Sequence, residues 1–226
     1  MSETKAAPVE GEDRGGVLDT IERVSEMCFG LFMALTFVGA VSAATAGQAE
    51  TAARTMFYTA LGCNLAWGLV DAVMYLVRTL TERGKRLTLA LAVRSAPDAQ
   101  SGAKVLRSAL PPLVGKLIGE PELEKIRQGL VKHALPEKPK FHRRDFKGAV
   151  GIFIIVVLST FPVALPFVMF DDMKVALLIS RLLTFVMLFG AGFALGRHAG
   201  YSGWKSGTQM LVLGVALTAA VIALGG

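Results

Sequence analysis

Five apolar stretches decide what this chain can fold into. Residues 27–49 and 148–170 each run for 23 residues without a charge, and residues 206–226 run for 21. Residues 55–77 are interrupted only by Asp71, and residues 175–196 only by Arg181. A helix needs about 20 apolar residues to cross roughly 30 Å of hydrocarbon. Five such runs in 226 residues leave little sequence for a soluble core. Hydrophobic residues make up 53% of the chain and charged ones 19%, less than the quarter typical of soluble domains. The expected fold is an all-α integral membrane protein with five transmembrane helices. A small helical cytoplasmic insert separates the second from the third.

Four regions follow. Residues 1–22 read as a disordered acidic tail. Glu3, Glu10, Glu12, Asp13, Asp19 and Glu22 carry the wrong sign for a secretory signal, and the first apolar run is too long for one. Residues 23–80 hold spans one and two, 81–146 the insert, and 147–226 spans three to five. The chain has 24 Lys and Arg against 18 Asp and Glu, a net charge of +6. Of these 24 basic residues, 16 lie in 78–147. Cytoplasmic loops carry the excess of Lys and Arg, so this segment and the N-terminus are expected in the cytoplasm, with the C-terminus on the opposite side. The basic excess is thus an orientation signal, with anionic headgroups as its nearest partner. No nucleic-acid-binding motif accompanies it.

Within the insert, residues 81–96 are expected to continue span two as a basic helix. Pro97 and Asp98 interrupt it, and Pro111 and Pro112 stop a short helix over 102–110. Residues 121–135 form the clearest soluble helix. Pro121 suits its first turn, and Glu122 and Glu124 suit the positive end of its dipole. Leu123, Ile126, Leu130 and Ala134 supply one apolar stripe. Such an insert is either a solvated basic cap or a metal-collecting module.

Ionisable groups inside spans are costly and are functional candidates by default. Asp71 leads. Asn64, Asp71, Met74 and Arg78 are spaced i, i+7, i+10 and i+14, one stripe along a helix. Carboxylate, amide and thioether on one face suit a cation path. Oxygen ligands accept Mn²⁺ and Fe²⁺, and a soft thioether selects against Mg²⁺ and Ca²⁺. The alternative is a neutral Asp71 bonded to Trp67, Tyr75 or a neighbouring helix. Glu26, at the inner mouth of span one, shares a face with Phe29, Gly30 and Met33. It reads as an ion hand-over point or as a plain interfacial acid. Arg181 lies near the outer end of span four, within snorkelling reach of the surface.

Other signals concern packing. Gly39, Ala43 and Gly47 recur every four residues, as do Gly192, Gly196 and Gly200, a spacing that lets helices approach closely. Pro162 and Pro166 interrupt the third span's backbone ladder. Cys28 and Cys63 differ too much in depth for a disulfide. P-loop, GxSxG, HExxH and CxxC motifs do not occur. The chain is therefore not expected to be an enzyme or an ATP-driven pump, and no cofactor is implied.

Five spans with a helical insert after the second resemble the vacuolar iron transporter family of Fe²⁺/Mn²⁺ carriers. Phe29-Gly30-Leu31 and the small residues to Gly47 resemble its first span, which opens Asp-Gly-Leu. Ser159-Thr160-Phe161-Pro162-Val163-Ala164-Leu165-Pro166 resembles its proline-marked third span. Residues 190–197 and 207–225 resemble its last two. The resemblance implies a dimeric proton/metal antiporter with its path lined by spans one and two. An acidic residue of span one and a Met of span two take part. Aligning the Gly-Leu pair places Phe29 where the family has its Asp, with Glu26 one turn earlier. Asp71 and Met74 match span two. The family's insert carries clustered glutamates for metal; here only Glu120, Glu122 and Glu124 cluster, amid many Lys and Arg, and the resemblance makes them possible metal ligands. A non-transporting scaffold or sensor, whose basic insert binds lipid or a partner, is the competing reading.

Overall fold

The structure is a computed structural model that describes residues 20–44 and 49–224. The tail expected over 1–22 lies outside the described residues, apart from its last three positions. The same holds for Gly47 and the side chain of Ala43 in the span-one stripe. Among the described residues the secondary structure is helical: α1 Thr20–Ala44, α2 Ala49–Arg94, α3 Ala99–Ala109, α4 Pro112–Leu117, α5 Glu120–Lys132, α6 Arg143–Ala164, α7 Pro166–Met169, α8 Met173–His198 and α9 Gly203–Ala223. Four of these segments are long and apolar enough to cross a membrane: Thr55–Arg94, Arg143–Met169, Met173–His198 and Gly203–Ala223.

The described residues divide into two compact units. One is Leu76–Arg143; the other takes the residues up to Tyr75 and from Arg144 onward. In the second unit, α1 packs on α8 and α9, and α8 and α9 pair along their length. Two of its apolar clusters involve α1. Leu31, Ala34, Leu35, Val163 and Leu188 join α1, α6 and α8. Val38, Met56, Phe167 and Ala176 join α1, α2, α7 and α8.

Glycine sets how closely α8 and α9 approach. A Cβ at Gly192 would stand 2.8 Å from the Ser206 carbonyl oxygen, and one at Gly207 would stand 2.9 Å from that of Phe189. At Gly196 it would run into the Ser206 side chain. The small-residue spacing of 192 and 196 is thus used against α9. Gly200 serves differently: its φ of +78° turns the chain between the two helices, in a region that only glycine enters freely. On α1, a Cβ at Gly39 would meet Val221 of α9 at 2.5 Å.

Of the two prolines in span three, Pro162 lies inside α6 and Pro166 marks the break. Pro166 has no N–H to give, so α6 ends at Ala164 and the short α7 begins. The Ser180 hydroxyl of α8 donates to the Val163 carbonyl at 2.7 Å, closing the gap from a neighbouring helix. Interhelical bonds of this kind contribute about 0.6–1.7 kcal/mol in membranes.

The insert differs from expectation in three places. The helix expected over 102–110 starts earlier, because Asp98 caps it by accepting from the Ser101 amide at 2.7 Å. Pro112 does not merely stop a helix; it opens α4 at a position where proline's missing N–H costs nothing. Finally, α5 ends at Lys132, so Ala134 leaves the stripe, and Ile126 is exposed. The insert core is Val93, Ala103, Leu106 and Leu123, drawn from α2, α3 and α5.

The α8–α9 contact yields a paired prediction. Gly207→Ala drives a Cβ into backbone and should cost about 1–3 kcal/mol, lowering the thermal midpoint in detergent. Gly190→Ala, in α8 but facing open space, should leave the midpoint unchanged or raise it. Equal midpoints for the two variants would refute the close-packing account.

Candidate functional site

The inward face of α2 is built from Met56, Ala60, Asn64, Gly68, Asp71 and Ala72, recurring every three or four residues. Asn64 is 5% exposed and Asp71 9%. Two contacts place this face against α6. A Cβ at Gly68 would stand 3.1 Å from the Phe153 ring and 3.4 Å from its carbonyl oxygen. One turn beyond Asp71, the Tyr75 hydroxyl abuts Gly148 so closely that a Cβ there would lie 2.5 Å away. Tyr75 also packs on Ile152 and Val156 of α6. Asp71 therefore lies between two points of close α2–α6 approach, inside the chain's own packing. It is engaged by neighbouring groups; its Oδ2 atom is buried and accepts no hydrogen bond.

Met74 does not share this shelter. It is 46% exposed, on an apolar face with Leu65, Leu69, Val70, Val73 and Val77. Three residues advance a helix by about 300°, so Met74 sits roughly 60° round from Asp71. Asn64 and Asp71 are thus together on the buried face, and Met74 flanks it. On α1, Glu26 and Met33 are both half-buried, and Glu26 is engaged by neighbours. Phe29, where the resembled pattern has Asp, packs edge-on against Trp67 of α2, with ring centroids 6.1 Å apart. That position is filled by an aromatic contact. Arg181 is half-buried beside the fully buried Ser180.

The buried hydroxyls are occupied by backbone. Ser159 and Thr160 donate to the Val156 carbonyl at 2.9 and 3.0 Å, and Thr184 donates to Ser180 at 2.7 Å. Their oxygens stabilise helices in an apolar setting. The uncommon groups of this unit are the two buried carboxylates, Asp71 and Asp145.

Asp145 was not among the expected site residues. It sits in the first turn of α6 at 3% exposure and is engaged by neighbours. Its position inside Arg143-Arg144-Asp145-Phe146-Lys147 masks it as one charge in a basic run. The signal that finds it is the inward face of α6. Positions 149, 152, 156 and 160 are buried, and 145 continues the row. A carboxylate in the first turn also suits the helix dipole.

Two of the insert glutamates are paired with arginines. Glu120 pairs with Arg107 at 2.8 Å. Glu124 pairs with Arg127 through two bonds of 2.7 Å and accepts from Gln128 at 2.9 Å. Among the described residues, no group of three or more His, Cys, Asp or Glu could hold a metal ion.

A family model described as the VIT family matches residues 107–226, just over half of the chain. No curated protein sequence matches it.

The Glu124 cluster predicts a pH dependence. The hydrogen bonds from Arg127, helped by Gln128, hold the Glu124 carboxyl down at about 2. A depressed folded pKa means stabilisation that is complete above the ordinary carboxylate range and is lost as pH falls from there towards 2. Hydrogen exchange of the α5 amides should accelerate in Glu124→Gln near pH 7. The gap from wild type should narrow steadily below pH 4.5. A gap independent of pH would assign the effect to something other than this charge.

Proposed function

The chain belongs to the VIT family, and from that premise we propose that it is a secondary transporter of divalent metal, Fe²⁺ or Mn²⁺, driven by a proton gradient. It is an integral membrane protein with at least the four apolar spans described. We take α1, 25 residues long, as the fifth. In this reading the insert and the N-terminus face the cytoplasm, as the Lys and Arg distribution favours, and the membrane is the cell membrane.

The observation that carries the proposal is Asp71. A carboxylate within an apolar helix, 9% exposed and packed against α6, is expensive to keep. The fold holds it between two seams where glycine admits a neighbour. Protonated, Asp71 is compatible with the closed seam; ionised, it is a hard oxygen ligand for a divalent cation. Metal and proton would then compete for one site, which is the minimal basis of exchange. Asn64, on the same buried face, offers a second oxygen. Met74 and Met33 offer thioethers, and Glu26 offers a carboxylate at the mouth. One chain provides too few of these in one place. Two copies would double them, so we place the path, lined by spans one and two, at a dimer interface.

Liposomes holding the purified protein should take up Mn²⁺ under an imposed pH gradient, and Asp71→Ala should reduce uptake to the level of empty liposomes. Undiminished flux in that variant would remove Asp71 from the mechanism.

A second reading is favoured by the insert. Two of its glutamates, Glu120 and Glu124, are paired with arginines, which suits a scaffold or sensor that binds anionic lipid or a cytoplasmic partner without transport. Thermal stability in detergent separates the two. A rise in midpoint with Mn²⁺ that disappears in Asp71→Asn supports transport, whereas a midpoint indifferent to Mn²⁺ supports the scaffold.

A further inference from the structure

The insert contains a cavity of about 460 Å³. One wall is the later part of α2, with Arg83, Arg86, Leu87 and Ala90; the other is the segment that follows α5. That segment has no regular structure from residue 134 to 142. Its prolines, Pro136 and Pro139, limit its freedom, and the Arg83 guanidinium donates to the Lys140 carbonyl at 2.9 Å, tying the two walls together. The volume falls within the range of small-molecule sites.

The lining has one sign of charge. Arg83, Arg86, Lys138 and Lys140 contribute cations, and no Asp or Glu is among the lining residues. Leu87, Ala90, Leu130 and Leu135 make the remainder apolar. A concave site with low-dielectric walls focuses the field of its charges. Guanidinium groups match phosphate oxygens in paired fashion. A ligand that satisfies both parts of the lining carries a phosphate ester and an apolar portion.

Diffuse attraction of a basic surface to a membrane requires no cavity, and the wider insert has basic residues enough for that. Lys85, Lys104 and Lys125 are exposed and lie outside the cavity. The concentration of like charge around a tied, partly apolar recess is a separate feature. We propose that this cavity binds a phosphate-bearing amphiphile, the headgroup of an anionic phospholipid or a soluble phosphate ester. Arg86, Lys138 and Lys140 would hold the phosphate against the apolar floor. Arg83 keeps the walls together.

The test is calorimetric titration of the full chain in detergent with dihexanoyl-phosphatidylglycerol, dihexanoyl-phosphatidylcholine and inorganic phosphate. The expected result is binding of the glycerol lipid but not the choline lipid. The triple variant Arg86→Gln, Lys138→Gln, Lys140→Gln should weaken it about tenfold or more. The charge-matched control Lys85→Gln, Lys104→Gln, Lys125→Gln should leave it within about twofold. Leu135→Trp fills the recess without touching charge and should weaken binding too, which keeps the test valid if the triple variant loses helicity. Inorganic phosphate bound alone, with the same sensitivity to the cavity triple, would support the soluble ester as the source. Absence of binding by both phosphate probes, or equal loss in both triples, would overturn the proposal.

Discussion

Hydrocarbon offers no hydrogen bonds, and the membrane unit is organised around that fact. Every backbone N–H and C=O within a span must find its partner inside the protein, which leaves helices as the local solution. The same demand explains where the hydroxyls go. Ser159, Thr160 and Thr184 return to carbonyls of their own helices, and Ser180 crosses to Val163, where the proline break would otherwise expose an acceptor. Against this background a carboxylate such as Asp71 is the exception. The fold shelters it between α2 and α6 rather than presenting it to lipid.

Lipid also removes the ordinary hydrophobic drive for helices to associate, so close packing has to supply cohesion. That is the role of Gly192, Gly196 and Gly207 between α8 and α9, and of Gly39 between α1 and α9. Gly68 and Gly148 do the same for α2 and α6. The carboxylate and the close approach thus belong to one seam, and any movement that exposes Asp71 must part contacts that tolerate no extra atom.

Much of the fold was readable from the chain because spans announce themselves by length and lack of charge. The long α2 was readable too, since nothing before Pro97 stops it. Other features depended on knowledge that periodicity does not hold. Pro112 read as a stop because sequence alone does not say whether a proline ends one helix or begins another. Asp145 was hidden by the arginines beside it. The spacing from Asn64 to Met74 put these residues on one stripe but could not say what opposes them. Burial separates Asp71, facing α6, from Met74, facing outward. The insert glutamates illustrate a related point: adjacency in sequence does not show that Glu120 and Glu124 each pair with an arginine.

The tight turn between α8 and α9 also orders assembly. Only residues 199–202 separate the two helices, so bringing them together costs little loop-closure entropy. By contrast, α1 reaches the same helices across more than half the chain. Contacts between sequence neighbours form sooner than contacts between distant segments. The C-terminal hairpin therefore closes at low entropic cost, whereas the core shared by Leu31, Val163 and Leu188 is complete only with α1 in place.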